Sequence, residues 1–300
     1  MSAEREPSRL IVITPVHGRH DHLRRLRAGL GGGTVLPEAH IIVAMGDPAL
    51  AAMPATMAPG PPVQVVDVPL QDGRLPLARA RNAGAAARPG GPGDLLIFLD
   101  VDCIPAPGLV QAYAEASRQA PGDLLCGPVA YLPPPGPEGY PGPERLHTLA
   151  APHPARPAPP PGTLERGGDH SLFWSLSFAV RREVWERLGG FDEQFVGYGA
   201  EDTDFGWRAR AAGIGLSWIG SAPAYHQHHP VSDPPVEHVD DILANGARFA
   251  LRWGEWPMRG WLEAFCQHGL IERTATGYQR TKNGTTTGNG PGAAERRVRQ

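Results

Sequence analysis

The sequence predicts an α/β fold on a mostly parallel sheet, and three observations carry that expectation. Short apolar runs at 9–14, 39–45, 63–68 and 94–99 alternate with helix-like stretches at 19–30, 76–88 and 107–119. The run 94–99 (DLLIFL) is apolar almost throughout, as a strand covered on both faces requires. Connections of this kind favour parallel pairing, with helices on both sides of the sheet.

Each element has its own signal. Residues 9–14 (RLIVIT) read as the first strand, and 19–30 as a helix with Leu23, Leu26 and Leu30 on one stripe. Two more apolar strands follow at 39–45 and 63–68. Pro76 suits the first position of the helix 76–88, because proline has no N–H to lose there. From 128 to 161, 13 of 34 residues are proline, which can neither donate to a ladder nor sit inside a helix. That segment is expected to be a long irregular loop, bordering the active site or disordered. Beyond it, 171–180 (SLFWSLSFAV) reads as strand, 182–188 as a short helix, 201–212 as a helix ended by Gly213, and 214–219 as strand. Amphipathic helices are expected at 236–253 and 257–268, then a disordered tail from about 274.

Composition narrows the function. Glycine (38) and proline (34) approach the level that suggests low complexity, but 41% hydrophobic and only 20% charged residues exclude a wholly disordered chain. A net charge of −3 gives no reason to expect nucleic acid as a partner. Cys103, Cys126 and Cys266 are far apart, so neither a disulfide framework nor a cysteine zinc site is expected. The N-terminus lacks the pattern of a secretory leader, and no apolar run approaches a membrane span. The expected location is the cytoplasm.

Three constellations carry chemistry. The strand at 95–99 runs into Asp100-Val101-Asp102, and alternation in an extended segment puts both carboxylates on one side. Carboxylates at the carboxyl end of a strand can hold Mg²⁺ or Mn²⁺; strand termination by Asp102 is the competing reading. The segment GGFDEQFVGYGAEDTD (189–204) delivers Glu201, Asp202 and Asp204 to the first turn of a helix, behind Tyr198 and Gly199. Acids suit helix N-termini, but this crowding also raises a carboxyl pKa toward that of a general base. The third is YHQHHP (225–230), where His226 and His228 share a face if extended and His229 points away.

The segments LARARNAGAAA, LLIFLDVDCIP and SLSFAVRREVWERLGGFDEQFVGYGAEDTDFGWRARAAG resemble the family 2 glycosyltransferases, the last one in the manner of galactosyltransferases. The resemblance spans about 9–230 and implies a GT-A fold. It implies that Asp100 and Asp102 engage a divalent ion (Mn²⁺ or Mg²⁺) and the donor, and that His226, or failing it His228, completes the metal site. Asp202 is then the catalytic base and Glu201 positions hydroxyls. The backbone at Thr14, Pro15 and Val16 faces the nucleotide base, while Arg81 and Asn82 match the family's ARN segment at the donor. The family's acidic pair after the second strand is replaced by AMGDPA, so Asp47 is the substitute, with Asp67 a second candidate. Trp174 and Tyr198 are candidates to stack on sugar rings, and Trp207 is expected in the core.

The expected organisation is a tail (1–8), a transferase domain (9–272) and a second tail (273–300). The domain comprises a nucleotide-sugar half (9–126), the Pro-rich loop (128–166), an acceptor half (167–230) and a helical extension (231–272). The expected activity is metal-dependent, inverting transfer of a sugar from a nucleotide-diphospho-sugar to a hydroxyl of a carbohydrate, small-molecule or lipid-linked acceptor, with peripheral membrane contact left open. The alternatives are a sugar-nucleotide nucleotidyltransferase and a non-catalytic nucleotide-sugar-binding protein.

Overall fold

The computed structural model describes residues 7–53, 60–221 and 223–281. The chain divides into two compact units at Pro230/Val231. In the first, strands β1 (Leu10–Val16), β2 (Ala39–Met45), β3 (Val63–Val68) and β4 (Leu95–Leu99) alternate with helices α1 (His20–Gly31) and α2 (Leu77–Ala86). They are followed by β5 (Cys103–Pro105), α3 (Leu109–Gln119), β6 (Leu124–Cys126) and β7 (Val129–Tyr131). Next come β8 (Ala151–Pro152), β9 (Leu164–Arg166), β10 (Ser177–Arg181), α4 (Arg182–Leu188), α5 (Glu201–Ala211), β11 (Leu216–Ile219) and β12 (Ala224–His226).

Eight strands form one sheet in the order β3-β2-β1-β4-β10-β6-β11-β9. Its β3-β2-β1-β4 and β6-β11 pairs are parallel, and β10 and β9 run antiparallel to their neighbours. All five residues of β4 are buried, as its continuous apolar run requires. One face of the sheet packs Phe98, Phe178, Trp185, Phe191 and Phe205 together, with the Phe98 and Phe178 rings stacked at 4.5 Å. The other face packs Leu26, Leu30, Leu109, Val110 and Tyr113 of α1 and α3 against Val12, Ile97 and Leu125.

A second sheet, β5-β12-β7-β8, positions the site. After β4 the chain turns, with the Cys103 N–H donating to the Asp100 carbonyl at 2.9 Å. β5 then pairs antiparallel with β12 so that His226 lies opposite Cys103. This sheet is assembled from strands of two or three residues that leave no periodic signal in the sequence.

Several expectations need correction. β1 continues through Val16 and keeps its pairing with β2 there, whereas its ladder with β4 ends at Ile13. The strand expected over 171–180 exists only from Ser177. Its first part is a 3₁₀ turn (His170–Leu172), because the Asp169 carboxylate accepts the Ser171 N–H at 2.8 Å. In the second unit, α6 (Val239–Trp253) and α7 (Arg259–Gln267) are followed by a hairpin, β13 (Ile271–Thr274) and β14 (Gly277–Arg280), where a disordered tail was expected. Ile271 is buried there, and the Trp256 ring meets that of Tyr278 at 5.2 Å, so apolar burial holds the hairpin. The rest of that tail, 282–300, lies outside the described residues. No helix among the described residues is long and apolar enough to cross a membrane.

Helix α2 lies close on the sheet at Gly84, where a Cβ would sit 2.4 Å from Ile13 Cγ2 and 2.9 Å from Val43 Cγ2. Replacing Gly84 by Ala is expected to lower stability in urea unfolding by about 1–3 kcal/mol through overpacking, despite alanine's better helix propensity. Gly122→Ala, where the added Cβ meets nothing within 4 Å, is the control expected to change little.

Candidate active site

The site lies at the carboxyl end of β4. Asp100 and Asp102 do not share a side as extended alternation suggested, because the turn at 100–103 separates them. Asp100 faces α2 and α5, while Asp102 faces β12 and the loop after it.

Arg81 of α2, only 2% exposed, reaches both acidic segments. Its two terminal nitrogens donate to Asp100 Oδ1 at 3.1 Å and to Glu201 Oε1 at 3.2 Å. The guanidinium lies over the Phe191 ring, 5.1 Å from its centroid, and its Nε has no hydrogen-bond partner. Arg81 is thereby committed to carboxylates of the protein. Asn82 is committed too: its amide donates to the Phe191 carbonyl at 2.9 Å and to Glu193 Oε1, and its Oδ1 accepts the Phe191 N–H at 2.8 Å. The ARN segment therefore fixes the loop that leads into α5.

That loop ends in strained backbone. Gly197 and Gly199 have positive φ, and so does Ala200 (72°), a region a non-glycine residue rarely adopts. The turn delivers Glu201 and Asp202 at the start of α5. Asp204 belongs elsewhere: fully buried, it accepts from Arg208 Nε at 2.9 Å, and Arg208 also donates to the Leu188 carbonyl. Burial pushes the Asp202 carboxyl upward, partly opposed by Arg81 and by the Thr203 N–H, which donates to Asp202 Oδ1 at 2.7 Å. Burial and the neighbouring Asp202 raise Glu201 to about 7. Burial raises Asp100 to about 6 against the pull of Arg81.

At the other end, Asp102, His226 and His229 each offer a ligand atom, all within 4.8 Å of one another. His226 Nε2 lies 3.5 Å from Asp102 Oδ1, and His229 Nε2 lies 3.4 Å from Asp102 Oδ2. Arg19 also pairs with Asp102 Oδ2. Burial works against ionisation of Asp102, but His229, His226 and Arg19 outweigh it and hold the carboxyl at about 2. The expectation that His229 points away from His226 fails because β12 ends at His226 and alternation stops there. Gln227 is wholly buried; its N–H donates to the Asp102 carbonyl at 2.7 Å, and its side chain meets Arg25 and the His22 carbonyl. The His228 N–H donates to the Tyr140 hydroxyl at 3.0 Å, and His228 is not part of the three-residue group.

The remaining candidates are placed as follows. Thr14 is buried and its Oγ1 hydrogen-bonds His40 Nε2 at 2.9 Å; Pro15 and Val16 lie in the β1–β2 ladder. Asp47 Oδ2 meets the Gly18 N–H and His20 Nε2, each at 2.8 Å, tying the loop after β2 to the loop after β1. Asp67 is exposed on β3. Tyr198 is 37% exposed. Trp174 is half-buried, edge-on to His153. Trp207 is not in the core: it is half-buried, with Arg210 stacked 4.2 Å from its ring centroid. The sequence left open which of His226, His228 and His229 joins Asp102, and it did not single out Arg19. The three-residue step from His226 to His229 and the lone arginine after Gly18 were the available signals.

Comparison with known proteins bears on these elements. A family model described as the N-terminal domain of galactosyltransferase matches residues 169–230. The chain is 27% identical over 274 residues to validoxylamine A glucosyltransferase from Streptomyces hygroscopicus subsp. limoneus, covering 80% of this chain and 56% of that one. It is 38% identical over 74 residues to the uncharacterized glycosyltransferase YfnE of Bacillus subtilis (strain 168), covering 25% of this chain and 18% of that one. The chain thus spans about half the length, or less, of the curated relatives it matches. Among solved structures, S. aureus TarS 1-349 superposes with a TM-score of 0.54 at 12% identity, covering 81% of this chain and 65% of that one. GalNAc-T7 with UDP, GalNAc and Mn²⁺ gives 0.52 at 15% identity, covering 81% and 50%.

Arg81 generates a prediction. Arg81→Gln leaves Asp100 and Glu201 buried without their cation, which costs about 3–5 kcal/mol for a broken buried pair. Their carboxyls then sit further above their unfolded pKa values. A raised carboxylate favours the protonated folded state, so stability falls as pH rises through that window. The loss in Tm is expected to be larger at pH 8 than at pH 5, as followed by thermal denaturation.

The chain thus shares the fold of TarS and GalNAc-T7, and its 169–230 segment is similar to the N-terminal domain of galactosyltransferase.

Proposed function

We propose that the chain is a metal-dependent, inverting glycosyltransferase acting on a nucleotide-diphospho-sugar and an acceptor hydroxyl. One observation carries this reading: Arg81 joins the Asp100 turn to the Glu201 helix start, so a ligand-bearing end (Asp102, His226, His229) and a base end (Asp202) belong to one site. That the relatives are glycosyltransferases by name supports the same reading.

The donor set fits a divalent cation. One carboxylate with a strongly depressed pKa and two imidazoles converge within 4.8 Å, a mixed oxygen and nitrogen set that suits Mn²⁺ better than Mg²⁺. Asp102, His226 and His229 would hold the ion, and Asp100 would reach the donor from its place on Arg81. When bound, the ion supplies positive charge at the leaving diphosphate. Arg19 adds a second cation beside it. The carboxyl end of β1 (Thr14, Pro15, Val16) and the loop after β2 with Asp47 form the nucleotide end, where the β1–β4 ladder opens after Ile13. UDP, present in the TarS and GalNAc-T7 complexes, is the first nucleotide to test.

At the base end Asp202 takes the proton of the acceptor hydroxyl. That oxygen attacks the anomeric carbon as the bond to the diphosphate oxygen breaks. One displacement from the opposite face inverts configuration. Glu201, held by Arg81, orients a hydroxyl of acceptor or donor, and Asn82 acts indirectly by fixing the loop before α5. Tyr198, Gly199 and Trp174 border the place where a sugar ring must lie. Positioning and charge stabilisation supply the acceleration.

Asp202→Asn is expected to lower transfer by at least about 100-fold while UDP binding stays within about twofold, measured by product release and calorimetry. Turnover equal to wild type would remove the base assignment. Asp102→Ala is expected to weaken Mn²⁺ binding by at least about tenfold in the same calorimetry. The base must be ionised, and burial raises both acids of the pair. So kcat/KM is expected to show an acidic limb above the ordinary carboxylate range, because burial raises Asp202. An acidic limb near 4, the ordinary carboxylate range, would contradict the buried pair.

A further inference from the structure

The Pro-rich segment holds one residue that no step above uses. Between Leu146 and Phe173 every residue is exposed or half-buried except Arg156, which is 7% exposed. A flap of surface chain thus sends a single side chain inward, and that side chain is charged. Its Nε and both terminal nitrogens are buried and have no hydrogen-bond partner. Buried polar groups are nearly always paired, and an unpaired buried cation is among the least favourable arrangements a fold can contain.

What surrounds Arg156 is aromatic. Its Cζ lies 5.3 Å from the Trp174 ring centroid and 5.2 Å from that of Trp218. These contacts recover part of the lost hydration through the rings' negative faces, but they accept none of the five N–H groups. Arg156's surroundings also adjoin the proposed catalytic elements. Trp174 meets His153 at 4.9 Å, His153 meets Tyr131 at 5.5 Å, and Tyr131 stacks on His226 at 4.7 Å. On the other side, the N–H of Ser175, next to Trp174, hydrogen-bonds the Asp202 carboxylate. Arg156 therefore sits between the base end and the ligand-bearing end, under a flap that begins and ends on exposed chain.

We propose that Arg156, with Trp174 and Trp218, is a recognition subsite for an oxyanion carried by the acceptor, a carboxylate or a phosphate monoester. The two indoles hold the guanidinium in place, and the guanidinium supplies paired donors to the acidic group of the occupant. The flap closes over the occupant and opens to release it. This assigns the acceptor class to acidic sugars or acidic sugar-like molecules. It rests on the transferase reading only in calling the bound molecule the acceptor; the anion site itself does not depend on transfer.

The test is direct binding by the full chain at constant ionic strength, read by thermal shift and calorimetry, with D-glucose, D-glucuronate and glucose 6-phosphate as probes. Wild type is expected to bind one or both acidic sugars at least about tenfold more tightly than glucose, and the better one identifies carboxylate or phosphate. Arg156→Gln is expected to lose that preference. Arg156→Lys, which keeps the charge and loses the fork, is expected to retain part of it and serves if the glutamine variant does not fold. Arg19→Gln is expected to keep the full preference, which separates this subsite from the cation beside Asp102. Three results overturn the proposal: no preference for either acidic sugar in wild type, an undiminished preference in both Arg156 variants, or a preference lost in Arg19→Gln but kept in Arg156→Gln. None of these measurements needs turnover, so the subsite stands or falls on binding even if the chain transfers no sugar.

Discussion

One buried guanidinium sets the geometry of the site. Arg81 brings together two carboxylates from segments about a hundred residues apart and is shielded from water while doing so. Burial alone drives Asp100 and Glu201 toward their neutral forms; the cation between them opposes that shift. The result is a charge balance that holds the turn after β4 against the start of α5. Everything nearby serves that junction. Asn82, one residue on, clamps the loop before α5, and Asp204 locks the helix back onto that loop through Arg208. Ala200 keeps its positive φ as a buried residue whose carbonyl accepts the Asp204 N–H at 2.9 Å.

The same junction separates two chemical roles along a short stretch of chain. Asp100 and Asp102 are two residues apart, yet one is raised and the other depressed. The turn at Cys103 sends Asp102 to two histidines and an arginine, while Asp100 stays with Arg81 and the acids of α5. Carboxylates whose environments push them apart are suited to different tasks: Asp102 is suited to holding positive charge, while Asp100 stays with Arg81 beside the acids of α5. On the proposed reading, the two ends of the site divide the reaction in the same way.

Much of the large sheet was legible in the sequence, because long apolar runs and leucine spacing report burial directly. The strands 39–45 and 63–68 and the helix 182–188 fall on β2, β3 and α4 residue for residue. The second sheet was not legible, since strands of two or three residues carry no period and β5 depends on a partner more than a hundred residues away. His229 was misplaced for the same reason: alternation was extended past His226, where the strand stops. Trp207 was assigned to the core from its place inside a helix, but its face of α5 meets Arg210. In the Pro-rich segment, composition implied one long irregular loop, whereas β7 and β8 lie within it and join the second sheet, and nothing in it marks Arg156 as the residue turned inward. Local pattern reports which segments are buried; the pairing of charges across the fold is a tertiary fact.

The central claim is that Asp102, His226 and His229 form the ligand end of a nucleotide-sugar site. Electron–nuclear double resonance of Mn²⁺ added to the full chain with UDP tests it most directly. The account predicts nitrogen couplings from imidazole and phosphorus couplings from the diphosphate on the same ion, with the nitrogen signal lost in a variant lacking both histidines. Phosphorus coupling without nitrogen coupling, or an ion coupled to neither, would contradict it.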